Sequence, residues 1–322
     1  MFRAVVTGRL KSDSFMAQSS NRWIITILGR TIPPSAIHRV TETLTIHGLH
    51  IEPQQPPVPL QPRATPYACE RLWIQPAPGN HATLRASLLA LSDELAVDII
   101  GQPESEYRQE RRLFVFDMDS TLIQGEVIDE LAKMAGVADR VVAITASAMR
   151  GEIEFQESFR RRVSLLAGLP EARAHELLQQ IPLMEGAEPL FHALHTMGMK
   201  TAILSGGFTF FGTHLKHRLG VDFVHANELD LDTDRYVTGQ VRGSIVDGAR
   251  KAELLQEIAV REAIPLDQVV AVGDGANDLP MLRLAGMGIA FHAKPIVRAS
   301  AAYAMTHVGL DGLLELLGSE IV

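Results

Sequence analysis

Apolar and polar positions along the first hundred residues predict a small α+β unit. Short apolar or alternating runs predict strands at 23–29, 49–51, 68–74 and 97–100, and a wider periodicity predicts helices at 34–47 and 82–95. The resulting βαββαβ order is that of a split βαβ domain. The proline-rich segment 53–66 is interpreted as an extended loop between the second and third strands.

A charged segment without periodicity, 102–112, is predicted to link this unit to a larger one. From residue 113 onward, strands alternate with helices, which is typical of a doubly wound, Rossmann-like parallel sheet. The predicted strands are 113–117, 201–205, 223–226, 269–273 and 288–291, with a β-hairpin turning at 232–235. We therefore expect two domains, at 1–104 and 112–322.

One long stretch of the larger domain, 126–182, contains helical patterns and no predicted strand. Helices are predicted at 127–135, 139–149 and 155–167. Because this stretch comes soon after the first strand of the sheet, we expect it to form a helical cap over the carboxyl edge of the sheet.

Composition narrows the class of protein. The 322 residues are 46% hydrophobic and carry a formal net charge of −8, so they can bury a sizeable core and show no basic footprint for nucleic acid. A single cysteine, Cys69, and the lack of zinc-type spacing fit a reducing compartment. With neither a signal-peptide pattern in the first residues nor a long apolar run, we expect a cytoplasmic protein without a membrane partner.

Two carboxylates, Asp117 and Asp119, follow the apolar run 113–116. Buried carboxylates need a partner or a cation, and the carboxyl edge of a parallel sheet is where open α/β folds bind ligands. The two carboxylates therefore suggest a site for a cation and a reacting group.

Three further sequence motifs lie at predicted strand ends or helix starts. They are Ser205-Gly206-Gly207, Lys251 and the Gly-Asp-Gly-Ala-Asn-Asp segment 273–278. Together with the Asp-x-Asp pair, their order and strand context resemble the haloacid dehalogenase-like hydrolase superfamily. Members that displace halide lack the second acid, so the resemblance implies phosphoryl transfer, with Asp117 as the candidate nucleophile that attacks phosphorus. Asp119 would protonate the leaving alcohol and then accept a proton from water, or it is only a turn or helix-capping residue.

The resemblance also implies a Mg²⁺ cofactor and a phosphate-binding site. It assigns the metal to the side chains of Asp117 and Asp274 and to the backbone carbonyl of Asp119, ligands of the oxygen type that Mg²⁺ prefers. It assigns substrate contacts to Ser205, Gly206, Gly207, Lys251 and Asn277, with Asp278 orienting the ligands. Without the resemblance, Lys251 would be interpreted as a solvated helix residue, as Lys200 and Lys216 are.

Longer segments resemble one family within this superfamily. Asp-Met-Asp-Ser-Thr-Leu-Ile-Gln-Gly-Glu, Phe-Gln-Glu-Ser-Phe-Arg-Arg-Arg-Val-Ser-Leu-Leu and Ser-Gly-Gly-Phe-Thr are similar to the phosphoserine phosphatase family, in the bacterial form that has an N-terminal ACT-like domain. The substrate implied is O-phosphoserine. Glu126 would bind its ammonium group and Arg162 its carboxylate, while Met149 and Phe155 would wall the pocket.

Each cap residue also has an ordinary structural interpretation. Arg162 ends a run of three arginines, and such runs are usually solvated; because helical residues point about 100° apart, at most one of the three should enter the pocket. Glu126 could instead stabilise a helix start, and Phe155 could belong to the core of the cap.

The expected activity is Mg²⁺-dependent hydrolysis of O-phosphoserine to serine through an aspartyl-phosphate intermediate, the last step of serine synthesis. One alternative is a phosphohomoserine phosphatase or phosphotransferase, since a pocket discriminates one methylene only weakly. A second alternative is an amino-acid-sensing regulatory protein with a vestigial phosphatase domain. A homodimer through either domain is left open.

Overall fold

The computed structural model describes residues 22–52 and 65–318. The proline-rich loop prediction therefore falls mostly outside the described residues, as does the start of the predicted N-terminal domain. Among the described residues, no helix combines the length and the apolar character that crossing a membrane requires.

Eleven strands form two sheets in the described part of the chain. They are β1 (Trp23–Gly29), β2 (His50–Ile51), β3 (Ala68–Gln75), β4 (Asp98–Pro103), β5 (Leu113–Phe116), β6 (Lys200–Phe208), β7 (Phe223–Leu231), β8 (Val237–Arg242), β9 (Val269–Gly273), β10 (Met287–Phe291) and β11 (Tyr303–Met305).

Helices cover both sheets. The α-helices are α1 (Pro34–Ile46), α2 (His81–Leu95), α3 (Glu104–Tyr107), α4 (Val127–Met134), α5 (Ala138–Met149), α6 (Phe155–Ser164), α7 (Glu171–Glu176), α8 (Ala187–Thr196), α9 (Thr209–Leu219), α10 (Gly248–Arg261), α11 (Leu279–Leu284) and α12 (Pro295–Ser300). Short 3-10 helices occur at Leu177–Gln179, Leu266–Gln268, Ala276–Asp278 and Leu310–Leu316.

The N-terminal sheet has the order β2-β3-β1-β4, and all its strand pairs are antiparallel. Alternation along β1 places Ile25 and Ile27 in a core that includes residues of α1 and α2, such as Val40 and Leu88. Leu28 belongs instead to the main core that includes the C-terminal segment. The strand β1 is thus buried on both faces of the sheet.

The larger sheet has the order β11-β10-β9-β5-β6-β7-β8 and is parallel except for the β7–β8 pair. Its central strands β5 and β9 are buried along their whole length, as expected of apolar runs in a parallel sheet. Since β5, β6 and β9 are adjacent, their carboxyl ends bring Asp117, Ser205 and Asp274 to one edge.

The stretch 126–182 contains α4 to α7, and it is called the helical insertion below. Its last part is tied to the hairpin formed by β7 and β8: Gly168 N–H donates to Val237 O, and Pro170 pairs with Tyr236. The hairpin thereby fixes one side of the insertion relative to the sheet.

Two features differ from the sequence-based expectations. The predicted linker 102–112 is partly ordered, because β4 continues to Pro103 and α3 follows directly. The strand β11 was not predicted, since three residues are too few to show a period. It pairs with β10 and extends the sheet by one strand beyond the five predicted parallel strands.

Candidate active site

A buried ion pair lies at the end of β5. Asp117 Oδ1 accepts hydrogen bonds from Met118 N–H and from Lys251 Nζ, each at 2.7 Å. Lys251 lies in the first turn of α10, which Asp247 caps by accepting from Arg250 N–H, and it is fully buried. Burial opposes the charge on Lys251, but Asp117 and Asp278 outweigh it and raise the lysine pKa.

Asp278 holds the same lysine from the loop that follows β9. Its Oδ1 accepts from Lys251 Nζ at 2.7 Å, and its Oδ2 accepts from Gly275 N–H at 2.9 Å. Gly273 is required for this packing, since a Cβ atom there would lie 2.6 Å from Asp278 Cγ. Asn277 is half-buried, and its Oδ1 folds back over Gly275.

The side chains of Asp117, Asp274 and Asp278 converge. One carboxylate oxygen from each lies within 4.8 Å of the others. Burial, followed by the charge of Asp278, raises the pKa of Asp117 well above its usual range and that of Asp274 to about 7. Lys251 balances only part of this negative charge, and the donors are all hard oxygens, so the residues fit Mg²⁺. The backbone carbonyl predicted as a ligand, that of Asp119, is two residues further on from Asp117.

Asp119 is half-buried beside this cluster. Its Oδ1 accepts from Val127 N–H at 3.1 Å, at the start of α4. Burial and then the nearby Glu126 raise the pKa of Asp119 to about 8. Its protonated form is therefore populated near neutral pH, which suits a group that must give a proton to a leaving oxygen.

The predicted phosphate-binding residues lie near the end of β6, which continues to Phe208 and does not end at residue 205 as predicted. Ser205 is fully buried, and its Oγ accepts from Gly207 N–H at 2.8 Å. That N–H, predicted to hold a phosphoryl oxygen, bonds to the serine in this structure. A Cβ atom at Gly207 would lie 2.5 Å from Asp119 Oδ2, so only glycine lets the loop approach this acid.

The helical insertion brings an acid and a base towards Asp119. Glu126 occupies the N-cap position of α4, yet its side chain makes no capping bond and accepts instead from Ser120 Oγ at 3.1 Å. Burial lowers the pKa of the Arg162 guanidinium, while Glu126, Asp129 and Asp119 oppose that shift. The buried Nε of Arg162 has no hydrogen-bond partner among the described residues.

The other two arginines of the run face solvent. Arg161 is exposed and paired with Glu157 at 2.6 Å, and Arg160 is exposed and donates to Gln156 at 3.3 Å. The expectation that at most one of the three turns inward therefore matches the structure, because α6 has regular helical geometry.

The two predicted pocket walls differ in their surroundings. Phe155 is half-buried and its ring edge reaches the loop at Gly206, where a Cβ atom would lie 3.5 Å from Phe155 Cζ. Met149 is 66% exposed at the end of α5, with its Sδ 3.9 Å from Lys294 Nζ. The structure thus brings Phe155 to the site and leaves the Met149 side chain largely exposed to solvent.

Three polar residues near the site were not singled out from the sequence. Thr121 donates to Asp274 Oδ1 at 3.3 Å, and Gln156 donates to Asp247 Oδ2 at 2.7 Å, which links the insertion to the start of α10. Asn227 bonds to the loop after Ser205. Its place directly after the predicted strand 223–226 was a usable signal, since polar residues at strand ends face the same edge.

Comparisons with known proteins agree with this geometry. The family model for haloacid dehalogenase-like hydrolases matches residues 114–283. A phosphoserine phosphatase of Archaeoglobus fulgidus is 46% identical over 236 residues, which are 73% of this chain and 68% of that protein. The chain belongs to the haloacid dehalogenase-like hydrolases and, within them, to the phosphoserine phosphatase family.

Solved structures extend the similarity to the whole fold. The unliganded structure of a probable phosphoserine phosphatase from Vibrio cholerae is similar with a TM-score of 0.74 and 34% identity, covering 95% of this chain and 88% of that one. A phosphoserine phosphatase solved as a phospho-aspartyl intermediate analogue gives a TM-score of 0.61 and 41% identity, covering 65% of this chain and all of that one.

Proposed function

We propose that the protein is a Mg²⁺-dependent phosphatase that hydrolyses O-phospho-L-serine to L-serine and phosphate, the last step of serine synthesis. The observation that carries the proposal is the arrangement around β5. A lysine-bound aspartate and a second acid with a raised pKa lie at one strand end, and Glu126 and Arg162 approach the same place from the helical insertion.

Asp117 is the proposed nucleophile. Both of its side-chain hydrogen bonds fall on Oδ1, so we assign the attack on phosphorus to Oδ2. As the new oxygen–phosphorus bond forms, the ester bond breaks and the serine oxygen takes the proton of Asp119. Asp119 then removes a proton from water, which attacks phosphorus and releases phosphate from Asp117.

The phosphoryl charge is balanced by groups at the strand ends. Mg²⁺ held by Asp117, Asp274 and the Asp119 carbonyl would neutralise charge on the phosphoryl oxygens. Lys251 places a fixed positive charge beside Asp117, and the loop of Ser205, Gly206 and Gly207 offers a hydroxyl and close backbone approach. Asn277 and Asp278 orient these groups.

Selection of serine is assigned to the helical insertion. The buried Nε of Arg162 has no hydrogen-bond partner within residues 22–52 and 65–318, and its guanidinium is suited to a bidentate bond with a carboxylate. Glu126 would pair with the ammonium group, and Phe155 closes the pocket over Gly206. Met149 is proposed as a second wall of this pocket, although its side chain is exposed in the structure.

The N-terminal region is proposed to be an ACT-like domain covering about residues 1–104. Two observations on the described residues support this proposal: the elements follow the order βαββαβ along the chain, and the antiparallel sheet has the strand order β2-β3-β1-β4. A cytoplasmic location is proposed with it, because a lone cysteine and an acidic composition suit that compartment.

The test is release of inorganic phosphate from O-phospho-L-serine by the full chain. We expect turnover with Mg²⁺, loss of turnover in EDTA and recovery when Mg²⁺ is restored. Phosphohomoserine is run in parallel, and Asp274→Asn serves as the variant that weakens the metal site. Full turnover in EDTA would reject the metal site, and faster turnover of phosphohomoserine would reject the substrate.

A further inference from the structure

The loop that carries Ser205 is a bulge in the sheet. Leu204 pairs with His225 and Phe208 pairs with Asn227, so three residues of β6 (205–207) lie opposite a single residue of β7. We call 205–207 the phosphate loop. Bulged residues lose their places in the ladder, and their buried backbone groups need other partners.

Asn227 supplies those partners. Its side chain is buried, with the residue only 2% exposed, and its Nδ2 donates to Gly206 O at 2.8 Å and to Gly207 O at 3.2 Å. Its Oδ1 accepts from Val246 N–H at 2.8 Å. Both hydrogens of the amide nitrogen and its oxygen are thereby used.

The third of these bonds reaches the helix that carries Lys251. Val246 precedes Asp247, which caps α10 by accepting from Arg250 N–H, and Lys251 N–H donates to Asp247 O in the same turn. One side-chain amide therefore connects the phosphate loop to the start of the helix whose lysine contacts Asp117.

A shift of the phosphate loop would change the positions of the reacting groups. Gly207 approaches Asp119 so closely that a Cβ atom would lie 2.5 Å from Asp119 Oδ2, and Ser205 Oγ is bonded to Gly207 N–H. Small misplacements of groups that bind the reacting centre reduce rates strongly, by up to about 10²-fold.

We infer that Asn227 is a positioning residue for phosphoryl transfer: its amide sets the phosphate loop in register with Lys251 without touching the substrate. The inference rests on the proposed phosphatase activity. It assigns to Asn227 an effect on the phosphoryl step that is shared by all phosphate esters and is separate from recognition of serine.

Two substitutions test this assignment. Asn227→Asp is nearly isosteric but turns an oxygen towards the two glycine carbonyls, and Asn227→Leu removes all three bonds at similar size. We expect kcat to fall by about 10- to 100-fold for both phosphoserine and p-nitrophenyl phosphate. The inhibition constant of inorganic phosphate should rise, while the KM for phosphoserine should change less than kcat.

Gln102→Leu is the matched control. Gln102 is also a fully buried amide in a strand, but it lies in β4 and bonds to Leu316 O at 3.4 Å, away from the phosphate loop. Its loss should lower the melting temperature and leave kcat per folded molecule within twofold of the wild type. Circular dichroism gives the folded fraction, and Asn227→Ser replaces Asn227→Leu if the latter does not fold.

The inference is overturned if the Asn227 variants keep kcat for p-nitrophenyl phosphate within twofold of the wild type. It is also overturned if Gln102→Leu loses as much kcat as they do, since the effect would then come from general destabilisation. If the wild type hydrolyses the aryl phosphate but not phosphoserine, phosphoserine is rejected as the substrate. The role of Asn227 is then still decided by comparing the variants on the aryl phosphate.

Discussion

Acidic side chains cluster in two regions of this protein, and the regions differ in how the negative charge is balanced. Where the N-terminal sheet meets the C-terminal segment, each acid has its own partner. Glu315 pairs with Arg71 at 2.7 Å, and Asp98 accepts from the backbone N–H groups of Thr306 and His307 at 2.7 and 3.0 Å. Asp311 accepts from Tyr67 at 3.0 Å.

At the carboxyl edge of the large sheet, the acidic groups outnumber the basic ones. Five acids, Asp117, Asp119, Glu126, Asp274 and Asp278, gather around two bases, Lys251 and Arg162. Unfavourable charge persists only where something else requires it, so the unbalanced region indicates function and the balanced one indicates docking of two parts of the chain.

The largest effect should come from exchanging one acid in each region for its amide. Asp117→Asn should reduce phosphoserine turnover by on the order of 10³-fold or more, since an amide cannot attack phosphorus. Its melting temperature should stay at or above that of the wild type, because like charges are relieved. Asp98→Asn should do the reverse: normal kcat and a loss of about 1–3 kcal/mol in the free energy of unfolding. Appreciable turnover by Asp117→Asn would contradict covalent catalysis.

A second comparison concerns the arginines of α6. Arg162→Ala should raise KM for phosphoserine. It should lower kcat/KM by a factor equivalent to about 2–5 kcal/mol, because the substrate carboxylate is left without its charge partner. Hydrolysis of p-nitrophenyl phosphate, which has no carboxylate, should change little. Arg160→Ala and Arg161→Ala are controls, because both side chains are exposed. Equal losses in all three variants would show a diffuse basic surface instead of a binding residue.

The region where the N-terminal sheet meets the C-terminal segment can be tested through its buried ion pair between Arg71 and Glu315. Arg71→Met should cost about 3–5 kcal/mol of unfolding free energy, because Glu315 is left charged and buried. Adding Glu315→Gln should recover part of that loss, and kcat should stay normal in both variants. A fall in kcat per folded molecule would show that the docking region also acts on catalysis.

A further comparison concerns the pH dependence of stability. The Asp119 carboxyl titrates near 4 in an unfolded chain and at about 8 in the folded protein. Between these values only the folded state holds the proton, so the free energy of unfolding should fall as pH rises. Urea unfolding in EDTA at pH 5 to 8 should show a shallower fall for Asp119→Asn than for the wild type. Asp139→Asn, at an exposed position of α5, should keep the wild-type slope.

Local patterns in the sequence determined most of the secondary structure. The strands β1 and β9 coincide with the predicted 23–29 and 269–273, and α2 and α5 begin within one residue of their predicted starts. These predictions succeed because apolar periodicity and turn residues act within a few positions of the chain. The same reasoning placed Asp117, Ser205 and Asp274 at strand ends and therefore at one edge.

Tertiary structure decided which side chains meet. Lys251 looked like a surface lysine, yet packing of α10 buries it between Asp117 and Asp278, 134 and 27 residues away in the chain. Arg162 turns inward and Met149 stays exposed, and neither outcome follows from residue type. The role of Asn227 depends on a bulge between β6 and β7, which no local pattern shows. Contacts between distant segments depend on the packing of whole elements, and a single sequence records only the local part of that information.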